Sequence, residues 1–253
     1  MKPSELFDLS GRVAIVTGGG SGIGRQMATG LAEAGAELVL CARKVERCEE
    51  AAALMPTRAL ALPCDVSDEE SVAAMVARVV QEFGRIDILV NNAGTVWGAA
   101  PEDMPLKGWQ KVVDVNLTGV FLCSQAAGRT MIERGGGKIV NIASVAGLHG
   151  APAEVVNTLP YHATKGGVIA LTRDLAWKWA RHGINVNAIA PGWFPSDMAN
   201  FVIERSPELT QRIPLGRFGG PEDLKGAVVF LSSRASDYVT GHTLVVDGGE
   251  SAW

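Results

Sequence analysis

Short apolar, β-branched runs alternate with helix-length segments along almost the whole chain, and this alternation narrows the possible folds more than any single residue does. The runs 13–17, 38–41, 58–62, 86–90, 138–142, 184–189 and 243–246 read as strands. They are apolar on both faces, as strands covered on both sides of a parallel sheet should be. Segments 22–34, 68–83 and 221–232 are the clearest helices between them, with Asp68 as N-cap of the second and Pro221 in the first turn of the third. The pattern predicts an α/β fold: one domain over residues 1–253, a doubly wound sheet of seven parallel strands with helices on both faces. An eight-stranded barrel is the competing closure, but the strand count and a glycine cluster straight after the first strand favour the open sheet.

Composition removes several function classes. With 253 residues, 47% of them apolar, the chain can bury a large core, which excludes disorder. A net charge of −4 argues against nucleic acid or an anionic membrane as the main partner. Any bound anion must therefore be held by a local group of donors. The cysteines Cys41, Cys48, Cys64 and Cys123 show no C-x-x-C spacing, so reduced thiols and no metal site are expected. No stretch approaches a membrane span, and residues 1–12 lack the apolar core of a signal peptide, so a cytoplasmic location is expected.

The glycine cluster reads Thr17-Gly18-Gly19-Gly20-Ser21-Gly22-Ile23-Gly24. The strict G-x-G-x-x-G fingerprint is absent; the spacing is Gly18-x-x-x-Gly22-x-Gly24. The physics is the same, because residues without Cβ let backbone N–H groups approach a pyrophosphate at a helix N-terminus. Gly18, Ser21, Gly22, Ile23 and Gly24 are thus candidate cofactor-binding residues. The second strand ends in Arg43-Lys44, with no carboxylate before Glu46. An acidic residue there would accept from the ribose 2′-hydroxyl of NAD, whereas a guanidinium and an ammonium suit the 2′-phosphate of NADP. NADP(H) is the expected cofactor. Asp65, followed by Val66, closes the third strand as either an acceptor for adenine or a turn residue before Ser67. Asn92, Ala93 and Gly94, at the end of the fourth, are placed to line the cofactor, with Asn91 tying strands together.

Catalytic candidates follow the later strands. Ser144 lies just past the strand 138–142, and Tyr161 and Lys165 are spaced to share one helical face. A phenol ionises near pH 10 and is a poor base at neutral pH; a neighbouring ammonium would favour phenolate. The Ser144 hydroxyl could orient a substrate oxygen.

Residues 17–24, 91–94, Asn116, Ser144, Tyr161-x-x-x-Lys165 and Pro191-Gly192, in that order, resemble the short-chain dehydrogenase/reductase family over nearly the whole chain. The resemblance implies a Rossmann-type domain and a Ser–Tyr–Lys–Asn tetrad. In it Tyr161 is the acid/base, Lys165 lowers the tyrosine pKa and binds the nicotinamide ribose, and Ser144 polarises the carbonyl. Asn116 would hold a water that relays protons to Lys165. Pro191, Gly192 and Ser196 would face the nicotinamide. Thr164 and Ser196 stand where the family more often has Ser and Thr, and the Ser144–Tyr161 interval is longer than usual. Helices around residues 106–134 and 161–181 imply a homotetramer.

Within that family, residues 6–11, 192–196, 214–217, 222–226 and 246–249 resemble the gluconate 5-dehydrogenase group, which implies a sugar-acid substrate. The segments 147–160 and 192–220 are the expected substrate walls. His149, Glu154 and Asn157 could serve a polyhydroxy acid, while Trp97 and Trp193 would suit a bulkier hydrophobic ketone. A 3-oxoacyl-thioester reductase is the alternative enzyme; its acidic carrier would dock on Arg129, Arg134, Arg173 and Arg181. A non-catalytic dinucleotide sensor on the same fold is the alternative outside enzymes.

Overall fold

The computed structural model describes residues 2–252. Seven strands, β1 (Val13–Thr17), β2 (Glu37–Ala42), β3 (Ala59–Pro63), β4 (Ile88–Asn91), β5 (Gly137–Ile142), β6 (Ile184–Pro191) and β7 (Thr243–Val246), form one sheet. Their order is β3-β2-β1-β4-β5-β6-β7, and every neighbouring pair is parallel. The chain builds outward from β1 to β3, then returns to place β4 against the other side of β1. Connections from β1 and β4 therefore leave in opposite directions, and a crevice opens at the strands' C-terminal ends.

The helices are α1 (Pro3–Leu6), α2 (Gly22–Glu33), α3 (Glu46–Ala52), α4 (Glu69–Phe83), α5 (Leu106–Val113), α6 (Gly119–Arg134), α7 (Leu159–Trp179), α8 (Asn200–Arg205) and α9 (Lys225–Ser232). Strand periodicity divides the core between the two faces. Ala14, Val16, Leu38 and Leu40 pack with Met27 and Leu31 of α2 and Val228 and Leu231 of α9. Val13, Ile15, Val39 and Cys41 point the other way, against Val72, Met75 and Val79 of α4 and Ala127 and Met131 of α6. Truncating a fully buried Leu31 or Met131 to Ala would cost about 2–5 kcal/mol. Asp68 caps α4 as its sequence position suggests, accepting from the Glu70 N–H at 3.0 Å.

Two expectations fail in informative ways. β3 and β7 are largely half-buried rather than sealed, because an edge strand has a neighbour on one side only. Pro221 does not open a helix: α9 begins at Lys225. The Asp223 carboxylate accepts from the Gly220 N–H at 2.7 Å and from both Arg217 Nη atoms, which holds the residues before Lys225 in turns.

A buried polar lattice ties the elements that carry the site. Asn91 Nδ2 donates to Ser124 Oγ (2.9 Å) and Asn141 Oδ1 (2.8 Å), and Asn141 Nδ2 donates to Thr172 Oγ1 (2.9 Å). These bonds join β4, β5, α6 and α7, the structural part expected of Asn91.

Candidate active site

The turn after β1 is shaped by its glycines. Gly18 and Gly22 have φ of 66° and 52°, a region that disfavours side chains, and a Cβ on Gly24 would collide with the Gly18 carbonyl oxygen. Thr17 Oγ1 accepts from the N–H groups of Asn92 and Ala93, both at 2.9 Å. Asn92 Nδ2 in return donates to the Thr17 and Gly18 carbonyls. The amide of Asn92 is thus spent on holding the glycine turn, and Thr17 is a shaping residue that the sequence reading missed. Ser21 N-caps α2 without a side-chain cap bond, so its hydroxyl and the first-turn N–H groups remain available to an anion. Ser196 faces this turn across the crevice; a Cβ on Gly22 would come within 3.3 Å of Ser196 Cβ.

The tetrad candidates meet at the other end. Lys165 is buried (4% exposed), and its Nζ donates to the Ile142 carbonyl at 2.6 Å and stands 5.5 Å from the centroid of the Tyr161 ring. Burial pushes its pKa down to about 8. Ser144 Oγ accepts from the Ala146 N–H at 3.2 Å. Burial raises the pKa of the half-buried Tyr161, and the adjacent Ser144 hydroxyl partly reverses that.

Asn116 sits in a π-helical turn (Asp114–Thr118) between α5 and α6, fully buried. Its Oδ1 accepts from the Thr95 N–H (2.8 Å), and its Nδ2 donates to the Thr95 carbonyl (2.9 Å) and Thr164 Oγ1 (3.3 Å). Thr164 Oγ1 in turn donates to the Tyr161 carbonyl at 3.0 Å. Both Nδ2 hydrogens of Asn116 are thus used within the protein, while its Oδ1 accepts a single bond. These bonds brace the turn of α7 that carries Tyr161, and the hydroxyl kept by Thr164 transmits this.

Ser144, Tyr161 and Lys165 line one cavity of about 1200 Å³ with Gly18, Ser21, Gly22, Ile23, Gly24, Asn92, Ala93, Gly94, Pro191, Gly192 and Ser196. Segments 147–160 and 192–220 both contribute to its walls, through Leu148, His149 and Val156 and through Trp193, Val202 and Arg212. Arg43, Lys44, Asp65 and Val66 lie outside those walls. Arg43 and Lys44 are exposed. Asp65 accepts from the N–H and Oγ of Ser67, the turn role, and Val66 packs beside Gly119 of α6. Trp193 lines the cavity, but Trp97 packs on Gly108 instead, and Glu154 and Asn157 are also absent from the walls. Arg212 and Glu250 line it and were not singled out in the sequence. Their one signal was position, past the C-terminal ends of β6 and β7.

Residues 18–251 match the enoyl-(acyl carrier protein) reductase family profile. The chain is 44% identical to the 2-dehydro-3-deoxy-D-gluconate 5-dehydrogenase of Dickeya dadantii (strain 3937), over 97% of each chain. It belongs to the short-chain dehydrogenase/reductase family. Its fold is similar to a short-chain type dehydrogenase/reductase from Mycobacterium marinum (TM-score 0.94, 39% identity, 98% of this chain and 99% of that one). It is equally similar to a gluconate 5-dehydrogenase from Burkholderia cenocepacia J2315 in complex with NADP and tartrate (TM-score 0.93, 40% identity, 100% of both chains). The family expected from the motifs is the family found. Among the described residues, no helix is long and apolar enough to cross a membrane, and no group of three His, Cys, Asp or Glu is placed to hold a metal ion.

Proposed function

We propose that this protein is an NADP(H)-dependent oxidoreductase acting on a secondary alcohol or ketone of a sugar acid. The observation that carries the reading is the convergence of Ser144, Tyr161 and Lys165 on the cavity that the glycine turn opens into. Similarity to gluconate dehydrogenases, one of them an NADP complex, supports the substrate class and the cofactor. The chain's own donors fit a dinucleotide phosphate: a glycine cradle, an uncommitted N-cap hydroxyl and, beyond them, two exposed cations. Gly18, Ser21, Gly22, Ile23 and Gly24 would hold the pyrophosphate, and Arg43 and Lys44 the 2′-phosphate. Asp65 and Val66 would border the adenine, with Asn92, Ala93 and Gly94 lining the cofactor. Lys165, Pro191, Gly192 and Ser196 would serve the nicotinamide end. When bound, the cofactor supplies or accepts the hydride.

The protein manages the proton. Ser144 donates to the substrate oxygen and fixes it near the Tyr161 hydroxyl. With its pKa raised by burial, Tyr161 is neutral and suited to donate a proton to the oxygen of a ketone being reduced. In the oxidative direction it must first lose that proton. Lys165, cationic below about pH 8, supplies the positive charge that favours the phenolate. Asn116 and Thr164 position Tyr161 rather than touch the substrate. The apolar part of the wall, with Leu148, Val156 and Val202, favours one competing substrate class, a bulkier hydrophobic ketone.

Parallel steady-state assays with NADPH and 5-ketogluconate, a 3-oxoacyl thioester and a hydrophobic ketone test the substrate class. Preferred turnover of 5-ketogluconate is expected, and turnover of the other two alone would overturn it. We also infer a homotetramer, supported by exposed Phe121, Leu159 and Trp177 on α6 and α7. Light scattering giving a monomer mass would exclude it. A cytoplasmic location accords with four free cysteines, all buried.

A further inference from the structure

Four Asp, Glu, Lys or Arg side chains line the cavity among the described residues: Lys165, Asp197, Arg212 and Glu250. Two are already engaged, Lys165 with the Ile142 carbonyl and Asp197 in an ion pair with Arg47. The other two, Arg212 and Glu250, line the same cavity with no ion pair among the described residues to hold them. Glu250 follows β7 in a turn; its Oε1 accepts from the indole N–H of Trp193 at 3.0 Å. Its Oε2 is buried and has no hydrogen-bond partner, and a Cβ on Gly192 would stand 3.2 Å away from it. Burial raises the Glu250 pKa, and the Trp193 indole N–H and the positive charge of Arg212, an exposed side chain at the end of the 3₁₀ turn Pro207–Arg212, partly offset this.

An orphaned carboxylate oxygen costs free energy unless a donor reaches it, and a guanidinium in a largely apolar wall selects for a planar anion. A sugar acid carries both complements, a carboxylate and hydroxyl donors on one short chain. We propose that Arg212 and Glu250 form the specificity-determining end of the substrate site. Arg212 pairs with the substrate carboxylate, and Glu250 Oε2 accepts a hydrogen bond from a substrate hydroxyl. Trp193 anchors Glu250 in the orientation this requires. The assignment rests on the sugar-acid reading above and adds which residues recognise which groups.

Gluconate binding to the enzyme–NADPH complex, which cannot oxidise it, separates the two claims by calorimetry. The unmodified enzyme should bind gluconate, and Arg212→Ala should weaken that binding about 30-fold while the Kd for NADPH stays within about twofold. Arg212→Lys should recover only part of the loss, because an ammonium lacks the two-pronged geometry. Glu250→Gln keeps an acceptor for Trp193 but puts an amide donor in place of Oε2. It should raise the KM for 5-ketogluconate about tenfold, while the Kd for NADPH stays within about twofold. If the unmodified enzyme fails to bind gluconate, the sugar-acid reading falls and this assignment with it. If it binds gluconate and Arg212→Ala binds it equally well, the Arg212 assignment alone is overturned. Equal 5-ketogluconate kinetics in Glu250→Gln and the unmodified enzyme would overturn that of Glu250.

Discussion

Lys165, on the cavity wall, and Arg43, beyond it, are cations built in opposite ways. Lys165 is 4% exposed, its ammonium bonded to a strand carbonyl and its pKa pushed down by burial. Arg43 is exposed at the end of β2, outside the cavity wall, and the neighbouring Arg47 reaches across solvent to Asp197. Water screens the outer charges, so they can change partners cheaply, which suits the cofactor-choosing role proposed for Arg43. The inner charge is costly to hold and acts at full strength, which suits it to the chemical step.

The largest test falls on the inner end. Tyr161→Phe should lower kcat/KM about a thousandfold, with the Kd for NADPH within about twofold, because only the proton donor is lost. Retained turnover would remove the distinction between the two ends. Next is the cost of burying Lys165. Its folded pKa, about 8, lies below the ordinary value of about 10.4. Between those values the unfolded chain binds the proton and the folded chain does not, so stability from this group rises with pH across that window. Below pH 8 the penalty is present in full. Lys165→Met should therefore be inactive yet about 2 kcal/mol more stable than the unmodified protein at pH 7. That gap should narrow towards pH 10 in urea titrations; a constant gap would show that the ammonium is not penalised.

Effects at the outer end should be smaller. Arg43→Ala should weaken NADPH binding about tenfold and leave NADH unchanged, as fluorescence titration would show. Equal affinities of the unmodified protein for both cofactors would refute the NADP assignment. Smallest is Asp197→Asn, which removes an exposed ion pair and should change NADPH affinity less than about threefold. A larger change would mean that the outer end is as tightly organised as the inner one.

What could be read from the sequence followed the same division. Strand period, the glycine turn and the Tyr161–Lys165 spacing are local signals, and the sheet and the catalytic face follow from them. Bonds between distant segments left no such mark. Asn116 carried a family position, but its bonds to Thr95 and Thr164 depend on a π turn that no periodicity announces. Pro221 looked like a helix start because the competing turn is made by the Asp223 carboxylate. Arg212 and Glu250 come from separate loops and meet only on the wall of the cavity past the C-terminal ends of the strands.

An α-helix advances about 100° per residue, so the one additional residue accommodated at Asp114–Thr118 sets the phase of everything beyond it. With that residue in place, Asn116 faces Thr95 and Thr164 while Cys123 and Ala127 still face the sheet. A single-residue deletion there would force a choice between the two: rotate the apolar stripe of α6 out of the core, or turn the amide away from α7. Sequence drift in this stretch is therefore confined to substitution, whereas a surface loop elsewhere in the chain could gain or lose residues freely.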